Sequence, residues 1–258
     1  MSDTSTPKPR VGLFVTCLVD LFRPNIGFAA VRLLEQAGCT VEVPQPQICC
    51  GQPAFNSGDL NLTRRLAQRT IEAFEGFDYV VAPSGSCASM IRHHYAELFQ
   101  ASVPWADRAR ALSERTHELL GFLHDVMRVD GLQARFDMVA TYHDSCSGLR
   151  EMGVQSQPRA LLRQVEGLRL QEMRDSNVCC GFGGAFCVKF PRISERMVAD
   201  KVRCIEDTRA EVLLGGDLGC LLNMAGRLSR SGSSVKVYHC AELLAGMADA
   251  AAIGEPES

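Results

Sequence analysis

Cysteine is the residue type with which this sequence could do chemistry, and the cysteine spacing is repeated along the chain. There are 12 cysteines among 258 residues. A Cys-Cys-Gly motif at Cys49–Cys50 recurs at Cys179–Cys180, and each pair has one matched cysteine before it and one after it. From 17 to 146, from 49 to 179 and from 87 to 220, the offsets are 129, 130 and 133 residues. We interpret the chain as a tandem duplication with four matched cysteines in each half.

The candidate ligands are therefore two sets of four thiolates. Set one is Cys17, Cys49, Cys50 and Cys87, and set two is Cys146, Cys179, Cys180 and Cys220. Two adjacent cysteines point in different directions, so they reach two irons of one cluster more easily than one small ion. Structural zinc also takes four thiolates, but its sites usually contain a pair separated by two to four residues. An iron–sulfur cluster is the favoured interpretation, with zinc in one half and simple buried thiols as the alternatives.

Composition excludes several other classes of protein. Lys and Arg number 27 against 30 Asp and Glu, so the net charge of −3 does not indicate nucleic-acid binding. No apolar run approaches the roughly 18 residues of a membrane span. The start of the chain, MSDTSTPKPR, has no apolar region typical of a secretory signal. We therefore expect a cytoplasmic protein, in which a high cysteine content indicates metal binding or redox work rather than disulfides.

Apolar runs alternate with helical patterns in the same order in both halves. Strands are predicted over 11–16, 40–43 and 77–82, and again over 137–142, 168–172, 211–214 and 235–238. Helices are predicted over 26–37, from about 57 to 75 and around 198–205. This alternation predicts an α/β fold of two pseudo-symmetric βαβ-type repeats, each with a parallel sheet. The cysteines follow strand ends, so both sets are expected at the carboxyl ends of the strands.

The domain organisation follows from the repeat. Residues 10–99 are predicted to form the first cysteine-rich repeat, and 134–248 the second. Between them, residues 100–133 carry apolar residues at helical spacing, which predicts a helical connector.

Six sequence blocks resemble those of the cysteine-rich CCG domain family. They are VGLFVTCLVDLFRP, ICCGQPAFNSGD, VVAPSGSCASMIRHHY, YHDSCSGLRE, NVCCGFGGAFCVKFPRIS and GGDLGCLLNM. The family includes a subunit of heterodisulfide reductase and the iron–sulfur subunit of glycolate oxidase. The resemblance is greatest to its lactate-utilisation protein A group and extends from Val11 to about Gly246.

The resemblance implies an iron–sulfur electron-transfer subunit that oxidises L-lactate to pyruvate together with lactate-utilisation proteins B and C. It also implies that the eight matched cysteines are the cluster ligands. The fuller family motif ends in Cys-x-x-Cys, whereas this chain has Ser84 and Asp217 at the first of those positions. This departure favours one four-thiolate cluster of the 4Fe–4S type in each half. Subunits of a disulfide or heterodisulfide reductase or of a glycolate oxidase are the alternatives, and a structural zinc protein is the least favoured.

The remaining residues give weaker signals. No Gly-x-Gly-x-x-Gly fingerprint follows the first strand, so no dinucleotide site is indicated and no catalytic residue is assigned. His143 is interpreted either as a donor or proton relay near Cys146 or as a hydrogen-bonded strand-end histidine. Cys187 lies close in sequence to set two. His93 and His94 are expected to be exposed, and the other cysteines to be structural: Cys39, Cys204 and Cys240.

Overall fold

The computed structural model describes residues 7–255, whose strands form two separate four-stranded sheets. The first sheet contains β1 (Arg10–Leu13), β2 (Thr40–Glu42), β3 (Tyr79–Ala82) and β4 (Thr116–Glu118). The second contains β5 (Val139–His143), β6 (Arg169–Leu170), β7 (Val212–Gly215) and β8 (Lys236–His239). The strand orders are β2-β1-β3-β4 and β6-β5-β7-β8, and every pairing is parallel.

Helices connect the strands in the same order in both halves. The first half contains α1 (Cys17–Phe22), α2 (Pro24–Gln36), α3 (Gln52–Asn56), α4 (Leu60–Ala73), α5 (Gly85–Ser89), α6 (Tyr95–Leu98), α7 (Val103–Glu114) and α8 (Leu119–Gly121). The second contains α9 (Cys146–Arg150), α10 (Ser156–Leu162), α11 (Ala185–Lys189), α12 (Pro191–Asp207), α13 (Leu218–Arg230) and α14 (Cys240–Leu244). Two π-helical segments, Met90–His94 and Phe122–Val126, continue α5 and α8.

The central strands form because their residues are apolar on both faces. Val80, Val81 and Ala82 of β3 are fully buried, and all four residues of β7 are buried. Continuous apolar runs of this kind are typical of parallel strands covered by helices on both sides. The prediction of an α/β fold with two similar parallel-sheet halves is confirmed.

The two halves share one hydrophobic core. Its largest cluster joins Val11 and Leu13 of β1 to Val212 and Leu214 of β7. Helix α2 of the first half packs against α14 at the end of the second half, and α10 packs against α8. The carboxyl ends of both sheets are therefore held in one body.

The predicted helical connector differs from the structure. Residues 100–133 contain α7 and α8, but between them β4 pairs in parallel with β3. The connector is thus helical on both sides of a strand. Strand β4 was not predicted, because its sequence Thr-His-Glu carries no apolar run that would indicate a strand. The repeat boundaries at residues 99 and 134 stay predictions. Among residues 7–255, no helix combines the length and apolar character needed to cross a membrane.

Candidate metal centres

The first cysteine of each set begins a short helix directly after the first strand of its sheet. Cys17 begins α1 and Cys146 begins α9. The preceding residues, Thr16 and Ser145, cap these helices, since each side-chain oxygen accepts the backbone N–H three residues later, at 3.3 Å and 3.2 Å. The caps fix the direction in which each cysteine leaves its strand, and the sequence interpretation missed both short helices.

The glycine after each cysteine pair turns the chain so that its amide faces a sulfur. Gly51 and Gly181 have φ angles of 88° and 85°, in the left-handed region that favours glycine. The Gly51 N–H donates to Cys49 Sγ at 3.5 Å, and the Gly181 N–H donates to Cys179 Sγ at 3.3 Å. An amide donor of this kind stabilises negative charge on the sulfur.

Replacement of Gly181 by alanine is expected to destabilise the protein, because an added Cβ would lie 2.8 Å from the Ser194 carbonyl oxygen. The left-handed conformation alone costs about 1–2 kcal/mol for alanine. The matched control is Gly58→Ala, since Gly58 has a φ of 82° and nothing within 4 Å of its added Cβ. Urea unfolding under anaerobic conditions should show a larger loss for Gly181→Ala than for Gly58→Ala. Equal losses would contradict a role for the close contact with Ser194.

In each pair, the backbone carbonyl of the second cysteine accepts a hydrogen bond from a side chain of the same repeat. The Tyr95 hydroxyl donates to the Cys50 carbonyl at 2.8 Å. In the second half, Asn223 Nδ2 donates to the Cys180 carbonyl at 2.9 Å. Different side chains therefore fix equivalent backbone positions in the two repeats.

The sulfur atoms of set one lie close together in space. Cys17 Sγ lies 3.8 Å from Cys49 Sγ, and Cys50 Sγ lies 3.4 Å from Cys87 Sγ on α5. All four are free cysteines, and both separations far exceed the S–S bond of about 2.05 Å. Residues from three distant segments thus form one group of thiols at the carboxyl ends of β1, β2 and β3.

Set two has the same arrangement at the ends of β5, β6 and β7. Cys146 interacts with Cys179, and Cys180 interacts with both Cys179 and Cys220. The sulfurs of Cys180 and Cys220 and a ring nitrogen of His143 all lie within 4.8 Å of one another. Set two therefore has a nitrogen atom beside its thiols.

In each set, neighbouring thiols donate hydrogen bonds to the first cysteine of the Cys-Cys pair and so favour its thiolate form. Hydrogen bonds from Cys17 and then from Cys50 lower the pKa of Cys49 to about 3. In set two, hydrogen bonds from Cys146 and then from the second cysteine of the pair lower the pKa of Cys179 to about 2. The pKa values of Cys17 and Cys146 are raised, because each holds its proton against the neighbouring thiolate. A bound metal would replace these protons.

Each set opens onto a cavity. Beside Cys17 and Cys49 the cavity measures about 310 Å³. The cavity beside set two measures about 250 Å³ and lies between the repeats. All four cysteines of set two line it, together with first-repeat residues that include Gln52, Phe55, Asn56, Ser86, Met90 and His94.

The chemistry of both donor sets suits metal binding. Sulfurs 3.4–3.8 Å apart match two thiolates on one tetrahedral ion, whose metal–sulfur bonds are about 2.3 Å. A structural zinc ion, however, is enclosed by its four ligands. Here all four cysteines of set two, but only Cys17 and Cys49 of set one, line a cavity many times larger than the space one water needs. The open side leaves room for a polynuclear cluster.

The chain matches the model of the CCG family, described as a cysteine-rich domain, over residues 11–92 and 140–225. The chain belongs to the CCG cysteine-rich domain family. Lactate utilization protein A of Bacillus subtilis (strain 168) is 50% identical over 235 residues, which cover 91% of this chain and 98% of that relative. The corresponding protein of Bacillus velezensis is also 50% identical, with the same coverage. Within the CCG family, the chain is therefore a member of the lactate utilization protein A group.

One solved structure supports the fold. The crystal structure of a hypothetical protein from Helicobacter pylori matches 98% of this chain with a TM-score of 0.58 and 14% identity. This chain spans half of the Helicobacter pylori chain. At that identity the match concerns the fold alone.

The two positions at which this CCG protein departs from Cys-x-x-Cys meet each other across the repeats. Asp217 Oδ2 accepts hydrogen bonds from the Ser84 hydroxyl and from the Ser86 N–H, both at 3.0 Å. Asp217 directly precedes α13, which carries Cys220, and its side chain does not cap that helix, whereas Ser84 caps α5, which carries Cys87. These hydrogen bonds link the helices of the two sets and engage both side chains. Nothing in the sequence pattern indicated this contact.

The sequence indicated that His143 lies near Cys146, but it did not indicate the surroundings of the His143 ring. His143 ends β5 and is 1% exposed, and within residues 7–255 neither ring nitrogen makes a hydrogen bond of normal geometry. Burial and the positive charge of Lys201 lower the pKa of His143 to about 4, against the opposing effects of Asp144, Cys179 and Ser176. The ring is therefore neutral at pH 7. Both interpretations of His143, as a donor or proton relay near Cys146 and as a hydrogen-bonded strand-end histidine, stay predictions.

The four remaining cysteines belong to neither set. Cys39, Cys204 and Cys240 are buried. Cys187 is half-buried, and its thiol donates to the Gly184 carbonyl at 3.1 Å. His94 was expected to be exposed, but it is half-buried because it packs against Phe55, with ring centroids 4.9 Å apart, and lines the cavity of set two.

Proposed function

We propose that this chain is an iron–sulfur electron-transfer subunit of a cytoplasmic complex that oxidises L-lactate to pyruvate. In this proposal each set of four cysteines holds one 4Fe–4S cluster. The observation that carries the proposal is the gathering of two equivalent four-thiol sets, each beside an open cavity. The relatives named for lactate utilisation support the choice of substrate.

The residues have separable roles in this proposal. The eight cysteines bind the clusters, which when present supply one-electron transfer. The Gly51 and Gly181 amides donate to sulfur and so favour the more negative, reduced state. Ser84 and Asp217 hydrogen-bond to each other rather than supply a fifth ligand, which supports four-thiolate coordination in both sets.

Lactate oxidation removes two electrons and two protons, so the chain needs partners that bind the substrate. Lactate-utilisation proteins B and C are the proposed partners. No Gly-x-Gly-x-x-Gly motif follows β1, and this supports a division of labour in which the substrate chemistry lies elsewhere.

The first test concerns the metal. Protein purified anaerobically should be brown and contain about eight iron and about eight acid-labile sulfide atoms per chain, as two 4Fe–4S clusters require. The clusters should bleach when L-lactate is added together with proteins B and C, but not when these two proteins are omitted. Colourless protein that contains zinc would remove the proposal. Iron-containing protein that lactate never reduces would remove only the lactate-oxidising role.

A second candidate function is the reduction of a disulfide at set two. The cavity of about 250 Å³ that all four cysteines of set two line favours this candidate, because a small substrate could reach the sulfurs there. Reduction would take two electrons and two protons and give two thiols. Disulfide-dependent oxidation of the prereduced protein would favour it over electron transfer to a protein partner.

A further inference from the structure

The two cysteine sets differ at one buried position. His143 stands three residues before Cys146, and Phe14 stands three residues before Cys17. Both side chains are buried at the carboxyl end of an equivalent strand. Phe14 packs against Phe74, with ring centroids 5.6 Å apart, so it offers only apolar contact. Set two therefore has a polar ring where set one has none.

The other polar groups near His143 already have partners, including the Ser176 carbonyl, which accepts the Asp144 N–H at 3.3 Å and Lys201 Nζ at 3.5 Å. Arg159 donates to both carboxylate oxygens of Asp144, at 2.7 Å and 2.9 Å. Lys201 donates to the carbonyl of Asp175. Neither the Asp144 carboxylate nor the Lys201 ammonium makes a hydrogen bond of normal geometry to the ring, so neither satisfies its N–H.

Two sulfurs of set two and the Ser176 carbonyl lie beside the ring. A ring nitrogen of His143 lies within 4.8 Å of Cys180 Sγ and Cys220 Sγ. A buried polar group without a partner costs about 1–3 kcal/mol. In either protonation state an imidazole carries at least one N–H, which needs an acceptor. Sulfur atoms that carry negative charge would provide that acceptor beside the ring.

We propose that His143 donates a hydrogen bond to sulfur in the cluster site of set two and thereby gives that site the higher reduction potential of the two. A hydrogen bond to sulfur stabilises the added negative charge of the reduced state. Phe14 gives set one no such bond, so electrons pass from set one to set two. The inference rests on the proposed cluster binding, and it assigns a direction to electron transfer between the two clusters.

His143 is a positioning and tuning residue here rather than a ligand. Set two already contains four cysteines equivalent to those of set one. Set one has a phenylalanine at the equivalent position, so the repeat needs no fifth ligand there. The orphaned ring is thus available as a donor to sulfur.

The test compares His143→Phe, which copies set one, with His143→Gln, which keeps a side-chain N–H donor. Both variants and the parent protein are purified anaerobically, and their iron and sulfide contents are measured. The reduction potentials of the clusters are then determined by redox titration monitored by EPR. We expect full iron in all three. His143→Phe should lower the potential of set two by about 59 mV, a tenfold change for a one-electron couple. His143→Gln should retain most of the parent potential.

The unmodified protein provides a measurement that does not depend on how the variants fold. Pulsed EPR of the reduced protein labelled with ¹⁵N-histidine should show one weak nitrogen coupling at the cluster of set two. A strong coupling, typical of a nitrogen ligand, or no coupling would overturn the inference. So would an unchanged potential in fully loaded His143→Phe. If the parent protein itself contains no iron, it is the proposed cluster binding that fails, and the iron analysis reveals this first.

Discussion

Replacing Cys180 by alanine is expected to halve the iron content of the protein, from about eight to about four atoms per chain. Cys180 is 1% exposed and contacts both Cys179 and Cys220, so it lies in the middle of set two. Its loss leaves three thiols and a gap between them. The remaining iron should belong to set one, because the two sets lie at the edges of different sheets.

The matched control is Cys204→Ala. Cys204 is also buried, at 7% exposure, but it lies on α12 and belongs to neither set. This variant should keep the full iron and sulfide content, so a general effect of removing a buried cysteine is separated from loss of a ligand. Iron analysis and EPR spin counting of both variants provide the measurement. Full iron in Cys180→Ala, or equal losses in the two variants, would contradict the assignment of set two.

The mirror variant, Cys50→Ala, tests whether the repeats are equivalent. Cys50 occupies the same place in set one, 3.4 Å from Cys87 Sγ. The Cys50→Ala variant should also contain half of the iron, but it should retain the EPR signal that is lost in Cys180→Ala. The double variant should contain no iron, because each set binds its own cluster. Complete loss of iron in either single variant would instead indicate one cluster shared by both sets.

The sequence predicted the grouping of the cysteines where the repeat carried the information. Four cysteines in register at the ends of apolar runs were sufficient to predict two groups of thiols at the carboxyl ends of parallel strands. The strand orders do not follow from this pattern, because β1 lies between the consecutive strands β2 and β3, and β5 lies between β6 and β7. The grouping of the eight cysteines therefore required no knowledge of individual contacts.

Contacts between the repeats could not be predicted, because no local pattern records them. Asp217 and Ser84 are 133 positions apart, and neither residue type indicates the other. His143 had a sequence signal, its position before Cys146, but the missing partners of its ring become visible only when the surrounding side chains are placed. Strand β4 was missed for a local reason, since Thr116 and Glu118 are polar residues that the core nevertheless buries.

The largest effect on stability is expected from Glu242, which joins the end of the chain to the first cysteine helix. Glu242 is fully buried and accepts hydrogen bonds from Arg23 Nε at 2.8 Å and from Asn25 Nδ2 at 3.0 Å. Its other oxygen accepts the His239 N–H at 3.1 Å. Arg23 lies between α1 and α2, so this ion pair fixes the segment that begins at Cys17.

Glu242→Ala should therefore destabilise the protein by about 3–5 kcal/mol, since it leaves the charge of Arg23 buried without its partner. In a chain of this size each kcal/mol lowers Tm by roughly 2–4 °C. Adding Arg23→Met to Glu242→Ala should restore part of the loss, because the unpaired charge is then removed. The control is Glu166→Ala at the exposed pair with Arg135, for which less than about 1 kcal/mol is expected. Circular dichroism during anaerobic heating checks all four proteins. If Glu242→Ala behaved like Glu166→Ala, the ion pair would not be what holds α14 against the start of α2.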